Sequence, residues 1–113
     1  MDGMAPFERW FDICELSDIP VRGSRRLEKD GMKIAIFRTS DDRVFAVENR
    51  CAHKGGPLSE GIVHDCAVTC PLHNWVYDLS TGKAQGGDEG QIRTFPAEVR
   101  DGGRVHLRLA MAS

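Results

Sequence analysis

Cys51-Ala52-His53 and Cys70-Pro71-Leu72-His73 each offer one thiolate and one imidazole, with sixteen residues between the two segments. Thiolate and imidazole are ligands for soft and borderline metals. Four donors on one continuous stretch would crowd a single loop. Two hooks, each with one Cys and one His, can instead clamp a metal centre from opposite sides. The sulfurs then meet one metal ion and the imidazoles reach the other, which is a donor set for a binuclear iron–sulfur centre. The competing chemistry is structural zinc, because two Cys and two His also make a tetrahedral site. Zinc modules, however, usually group Cys with Cys and His with His, and here each hook is mixed. Gly55, Gly56 and Pro57 follow the first hook and Pro71 sits inside the second. Gly admits backbone conformations closed to other residues and Pro stiffens a turn, so such loops can aim N–H groups at sulfide.

The elements that must hold the hooks read as strands and turns. Arg9 to Leu16 alternates apolar and polar residues. Gly31 to Arg38 reads as a strand, Ser40-Asp41-Asp42 as a turn, and Val44 to Val47 as its partner, ending at Asn49 before the first hook. Ile62-Val63 and Ala67-Val68-Thr69 are short strands with His64-Asp65 as their turn. Trp75 to Asp78 follows the second hook, Ser80 to Gly82 turns it, and Val99 to Val105 is another hairpin. Val105, Leu107 and Leu109 alternate with Arg104, His106 and Arg108, giving one core face and one solvent face. A single helical turn is expected at Leu16 to Pro20, capped by Ser17. The fold class is all-β, an antiparallel barrel or sandwich. One domain is expected, with a base of residues 9–50 and 83–109 and an inserted lobe of residues 51–82 that carries both hooks.

The hooks and their surroundings resemble the Rieske 2Fe–2S family. Cys51-Ala-His-Lys-Gly-Gly-Pro-Leu58, Ser59-Glu-Gly61, Cys70-Pro-Leu-His73 and Tyr77-Asp-Leu-Ser-Thr-Gly82 follow its order and spacing, and the match spans roughly residues 31–109. The resemblance implies Cys51 and Cys70 as thiolate ligands and His53 and His73 as imidazole ligands of one 2Fe–2S cluster. Lys54, Gly55, Gly56, Leu72, Trp75 and Tyr77 would surround it. No catalytic residue is expected in addition.

Departures from the respiratory branch of the family are informative. Gly56 and Leu72 stand where that branch resembles a loop-tying Cys pair, so the bridge cannot form. Trp75 replaces the Ser that would hydrogen-bond a sulfide, and Tyr77 alone keeps the place of a second donor. Fewer hydrogen bonds leave more negative charge on sulfur, so the potential is expected in the lower Rieske range, roughly −150 to 0 mV. Reduction adds negative charge and raises the imidazole pKa, so that potential should fall as pH rises through the oxidised-state value.

Composition bounds the rest. The 113 residues carry 15 basic and 17 acidic side chains, which implies no nucleic-acid surface. No apolar run is long enough to span a membrane, no signal peptide is read at the start, and a reducing cytoplasmic setting is expected. Cys14 and Cys66 read as small buried apolar side chains, and His64 and His106 as solvated. No G-x-G-x-x-G follows a strand, so nicotinamide and flavin domains are not expected and electrons must come from a redox protein partner. Trp10 to Leu16, Asn74 to Asp78 and Gly86-Gly-Asp-Glu-Gly90 leading to Thr94-Phe-Pro-Ala-Glu-Val99 resemble the small subunit of assimilatory NAD(P)H nitrite reductase. That resemblance implies a large flavin and siroheme partner that reduces nitrite to ammonia. The alternative is a soluble Rieske ferredoxin that feeds an aromatic-ring-hydroxylating dioxygenase through a reductase. The 86–90 segment reads either as a docking loop or as a solvated turn, Trp75 as packing, and Lys54 as an exposed charge.

Overall fold

The computed structural model describes residues 8–29, 31–50, 57–70, 75–85 and 90–110. Among the described residues ten strands run β1 (Glu8–Glu15), β2 (Ser24–Lys29), β3 (Met32–Arg38), β4 (Val44–Glu48), β5 (Ile62–His64), β6 (Ala67–Thr69), β7 (Val76–Asp78), β8 (Thr94–Phe95), β9 (Ala97–Arg100) and β10 (Arg104–Ala110). They form three antiparallel sheets, ordered β1-β10-β9, β2-β3-β4-β8 and β5-β6-β7. The all-β expectation holds.

The apolar run of β3 is buried on both faces, and this decides the architecture. Ile34 and Ile36 pack with Val44 and Ala46 against Cys14, Val105, Leu107 and Leu109 of the β1-β10-β9 sheet. Ala35 and Phe37 pack with Val47 on the opposite face, against Leu58, Val63, Val68, Cys70 and Tyr77. The central sheet therefore has a core on each side, which a period-two strand buried on both faces requires.

Two strands escape hydrophobic patterning. β2 reads Ser-Arg-Arg-Leu-Glu-Lys, with one apolar residue in six. It forms because it pairs with β3 from Ser24↔Phe37 to Lys29↔Met32, and that register closes a two-residue loop. Gly31 in that loop has φ of 81°, which Gly adopts at little cost and which Asp-Gly hairpin turns need. β8 is only two residues long and is defined by its pairing to β4. In β1 a register shift between Asp12 and Cys14 inserts Ile13 and sets Cys14 opposite Val105, in the core.

The expected helical turn is a 3-10 turn at Leu16–Asp18, but Ser17 does not cap it. Asp18 Oδ2 accepts the Glu15 N–H at 3.0 Å, and Arg38 Nη1 donates to the carbonyls of Leu16 (3.3 Å) and Ile19 (2.9 Å). Asp18 lies at the third residue of the turn, where a carboxylate reaches back to the first N–H.

Candidate metal centre

Both hook segments spring from strands that share one core. The first follows β4. Asn49 and Ser59, on either side of it, are fastened to each other: Asn49 Oδ1 accepts the Ser59 N–H at 2.8 Å and Asn49 Nδ2 donates to Ser59 Oγ at 3.0 Å. Ser24 Oγ on β2 donates to the Ser59 carbonyl at 2.6 Å, and the Asn49 N–H donates to the Lys33 carbonyl at 2.9 Å. The first hook thus starts and ends on a hydrogen-bonded clasp anchored to the central sheet. A 3-10 turn at Leu58–Glu60 follows it, and Leu58 is completely buried. A Cβ on Gly61 would collide with the Thr69 carbonyl, so this turn is pressed against β6, the strand that leads into the second hook.

The second hook lies in the β6–β7 hairpin. Thr69↔Val76 is the last strand pair, and the Cys70 N–H then donates to the Trp75 carbonyl at 2.7 Å. Cys70 is completely buried, in one cluster with Val47, Leu58, Val68 and Tyr77. The flanks of the two hooks therefore converge on a single apolar surface. Cys51, His53, Lys54, Gly55, Gly56, Leu72 and His73 lie outside the described residues.

Tyr77 is fully buried in the same cluster, and Trp75 is half-buried against it. Their ring centroids are 6.4 Å apart with planes tilted by 43°. Trp75 thus has the packing role expected of it. Beyond β7, Asp78 Oδ1 accepts the Ser80 N–H at 2.8 Å and the Ser80 hydroxyl at 2.5 Å, and these bonds hold its carboxyl below the usual carboxylate range. The turn is closed further by the Gly82 N–H, which donates to the Asp78 carbonyl at 2.7 Å. The part of the site that is described fits an iron–sulfur cluster. It offers a sulfur donor on a dry apolar surface, and that environment suits a cluster whose charges nearly cancel.

Three sequence expectations need correction. Cys14 is buried, and burial pushes its thiol pKa up, but Cys66 is half-exposed because it forms the β5–β6 turn with Asp65. His64 is not in that turn. It ends β5, half-buried, with Nε2 2.8 Å from Thr69 Oγ1. His106 is not solvated. Its side chain is 13% exposed, with Nε2 4.0 Å from Asp12 Oδ2 and Nδ1 3.3 Å from the Arg104 carbonyl. Long charged side chains on the outer face of a sheet cover a shorter neighbour. In the 86–90 segment, only Gly90 is among the described residues, and its carbonyl accepts the Ala84 N–H at 3.0 Å. The Asn49–Ser59–Ser24 clasp had no signature in the sequence, because an Asn and a Ser ten residues apart declare no contact.

Comparison with known proteins agrees with this geometry. Residues 9–98 match the Rieske [2Fe-2S] domain. The 3-phenylpropionate/cinnamic acid dioxygenase ferredoxin subunit of Photorhabdus laumondii is 38% identical over 92 residues, covering 80% of this chain and 86% of that protein. A crystal structure assigned as an NADH-dependent nitrite reductase small subunit from Mycobacterium tuberculosis superposes with a TM-score of 0.82 at 25% identity, covering 93% of this chain and 98% of that one. The ferredoxin in a complex of reduced oxygenase and oxidized ferredoxin in carbazole 1,9a-dioxygenase superposes with a TM-score of 0.75 at 27% identity, covering 86% and 99%. Among the described residues no helix is long and apolar enough to cross a membrane. The chain belongs to the Rieske [2Fe-2S] domain family, and its cofactor is a Rieske 2Fe–2S cluster.

Proposed function

We propose that this chain is the electron-transfer small subunit of an NAD(P)H-dependent nitrite reductase, with its cluster held by the thiolates of Cys51 and Cys70 and the imidazoles of His53 and His73. As a Rieske protein it is an electron carrier within an oxidoreductase system. The observation that carries the finer reading is the superposition on the Mycobacterium tuberculosis protein, which leaves little of either chain unmatched. The Gly86 to Gly90 and Thr94 to Val99 segments point the same way.

When bound, the cluster supplies a one-electron couple. The chain's own residues do the rest. The Asn49–Ser59 clasp fixes both ends of the first hook, and the Cys70–Trp75 backbone bond fixes the ends of the second. Leu58, Val68 and Tyr77 exclude water from the Cys70 side. Residues 51–82 would form the cluster-bearing lobe on a base of 9–50 and 83–109, a division that keeps the two hooks at one end.

A second reading, a ferredoxin serving an aromatic-ring dioxygenase, is favoured by the 38% identity to the Photorhabdus laumondii ferredoxin subunit. Purification of the tagged chain from its host separates the two. A tightly co-purifying siroheme protein whose nitrite reduction requires this chain supports the first reading. A lone chain that restores turnover to a dioxygenase supports the second and overturns the first.

A further inference from the structure

We infer that the β2–β3 hairpin and Arg50 form a docking groove for an acidic segment of the protein with which this chain exchanges electrons. Residues 22–33 contain Arg22, Arg25, Arg26, Lys29 and Lys33 against Glu28 and Asp30, in a chain whose formal net charge is −2. A cavity of about 970 Å³ opens beside this hairpin, lined among others by Arg26, Lys33, Asn49, Arg50 and Pro57, so it runs along the stem of the first hook. The strand register fixes the sign of its floor. Arg26 is paired with Ala35, and Lys33 stands two residues before Ala35 on the same strand. Both therefore rise from the face that carries Ala35, Phe37 and Val47, which is the face turned to Leu58 and Cys70. Glu28, opposite Lys33, adds one carboxylate to that face. Glu48 also lines the cavity, but it pairs with Ile34 and alternates to the other face.

Four arginines away from the groove are matched by carboxylates. Arg38 is held by Asp42, Arg43 by Asp41, Arg100 by Glu98 and Arg104 by Asp12. Arg26, Lys33 and Arg50 are exposed, and they make no ion pair among the described residues. With Glu28 and Glu48 also in the lining, the groove carries three positive against two negative side chains, an excess that no ion pair among the described residues neutralises. Carboxylates from a partner would neutralise it, steer encounter, and hold that partner beside residue 51. The inference rests on the reading that the first hook holds the cluster.

The test uses the full, cluster-loaded chain and fluorescein-labelled deca-glutamate, with binding followed by anisotropy. Wild type is expected to bind, and to bind about tenfold more weakly when salt rises from about 20 to about 200 mM. The triple variant Arg26→Glu, Lys33→Glu, Arg50→Glu should lose binding about tenfold or more, while Arg9→Glu, Arg43→Glu, Arg100→Glu should stay within about twofold. Arg26→Gln, Lys33→Gln removes charge without reversing it and should give an intermediate loss, with folding checked by circular dichroism. Absence of binding overturns the inference, as does an equal loss from both triple variants. A ten-nucleotide DNA strand bound more tightly than the peptide through the same residues also overturns it. The peptide assay contains no siroheme protein, so failure of the co-purification test would sink the functional proposal and leave the groove standing. A groove-bearing chain that holds iron after removal of Cys51 would remove the premise about the hook.

Discussion

Asn49→Ala should uncouple the first hook from the sheet that carries it. The change deletes two hydrogen bonds, at 2.8 and 3.0 Å, and leaves the half-buried Ser59 N–H without its acceptor. At about 1 kcal/mol per bond, the loss is about 2 kcal/mol. In a chain of this size that corresponds to a fall in melting temperature of roughly 10 °C. Local opening of the hook should rise in proportion, so iron loss to a strong chelator should quicken about 30-fold. Asn49→Asp keeps an acceptor for the Ser59 N–H and offers a second oxygen to the Ser59 hydroxyl, so it should recover most of both effects. The assays are thermal unfolding of the loaded chain and the decay of its visible absorbance in chelator. An alanine variant that melts and loses iron like wild type would refute the reasoning. So would an aspartate variant as impaired as the alanine one, because then the amide contacts would not be what matters.

The family resemblance gives the hydroxyl of the fully buried Tyr77, which shares a cluster with Cys70, the place of a donor to a ligand sulfur, so Tyr77→Phe, at about 1 kcal/mol for that bond, should lower the midpoint potential by roughly 40 mV in protein-film voltammetry. Gly82→Ala forces a Cβ onto the Ile92 carbonyl at a residue whose φ is 78°, so it should cost about 3 kcal/mol in urea unfolding. The Arg104 hydrogen bond holds the Asp12 carboxyl below its ordinary value, so its stabilisation is present above the unfolded pKa of about 3.9 and lost as pH falls through the lower folded value. In melts from neutral to strongly acid pH, Asp12→Asn should therefore be the less stable protein near neutrality and should converge with wild type at the acid end.

How far the sequence speaks depends on whether a residue's job is local. The β3–β4 hairpin was legible because Met32 to Phe37 and Val44 to Val47 carry their own apolar pattern around a polar turn. The β9–β10 hairpin was legible for the same reason, and the alternation of Val105, Leu107 and Leu109 matches their burial. β2 was not legible, because an edge strand with Arg25, Arg26, Glu28 and Lys29 is kept polar and takes its conformation from its neighbour. Its one local clue was the dipeptide Asp30-Gly31, a hairpin-turn signal in sequence. The hook cysteines and histidines stood out through spacing alone. What holds them did not, because Asn49, Ser59 and Ser24 meet only after three segments have packed. His64 and His106 were misjudged for a related reason. Exposure on a strand depends on the lengths of the cross-strand neighbours, and the alternation of a single strand is silent about those.

The double-sided burial of β3 and β4 has a consequence for how the cofactor is acquired. Ile34, Ile36, Val44 and Ala46 are satisfied by β1 and β10 without help from the segments that flank either hook. Ala35, Phe37 and Val47 depend on residues in those flanking segments. Before iron arrives, the first layer can already be complete while the second is still loose. The newly made polypeptide would then present a finished scaffold with one unfinished side, and insertion of the cofactor would be the event that closes it.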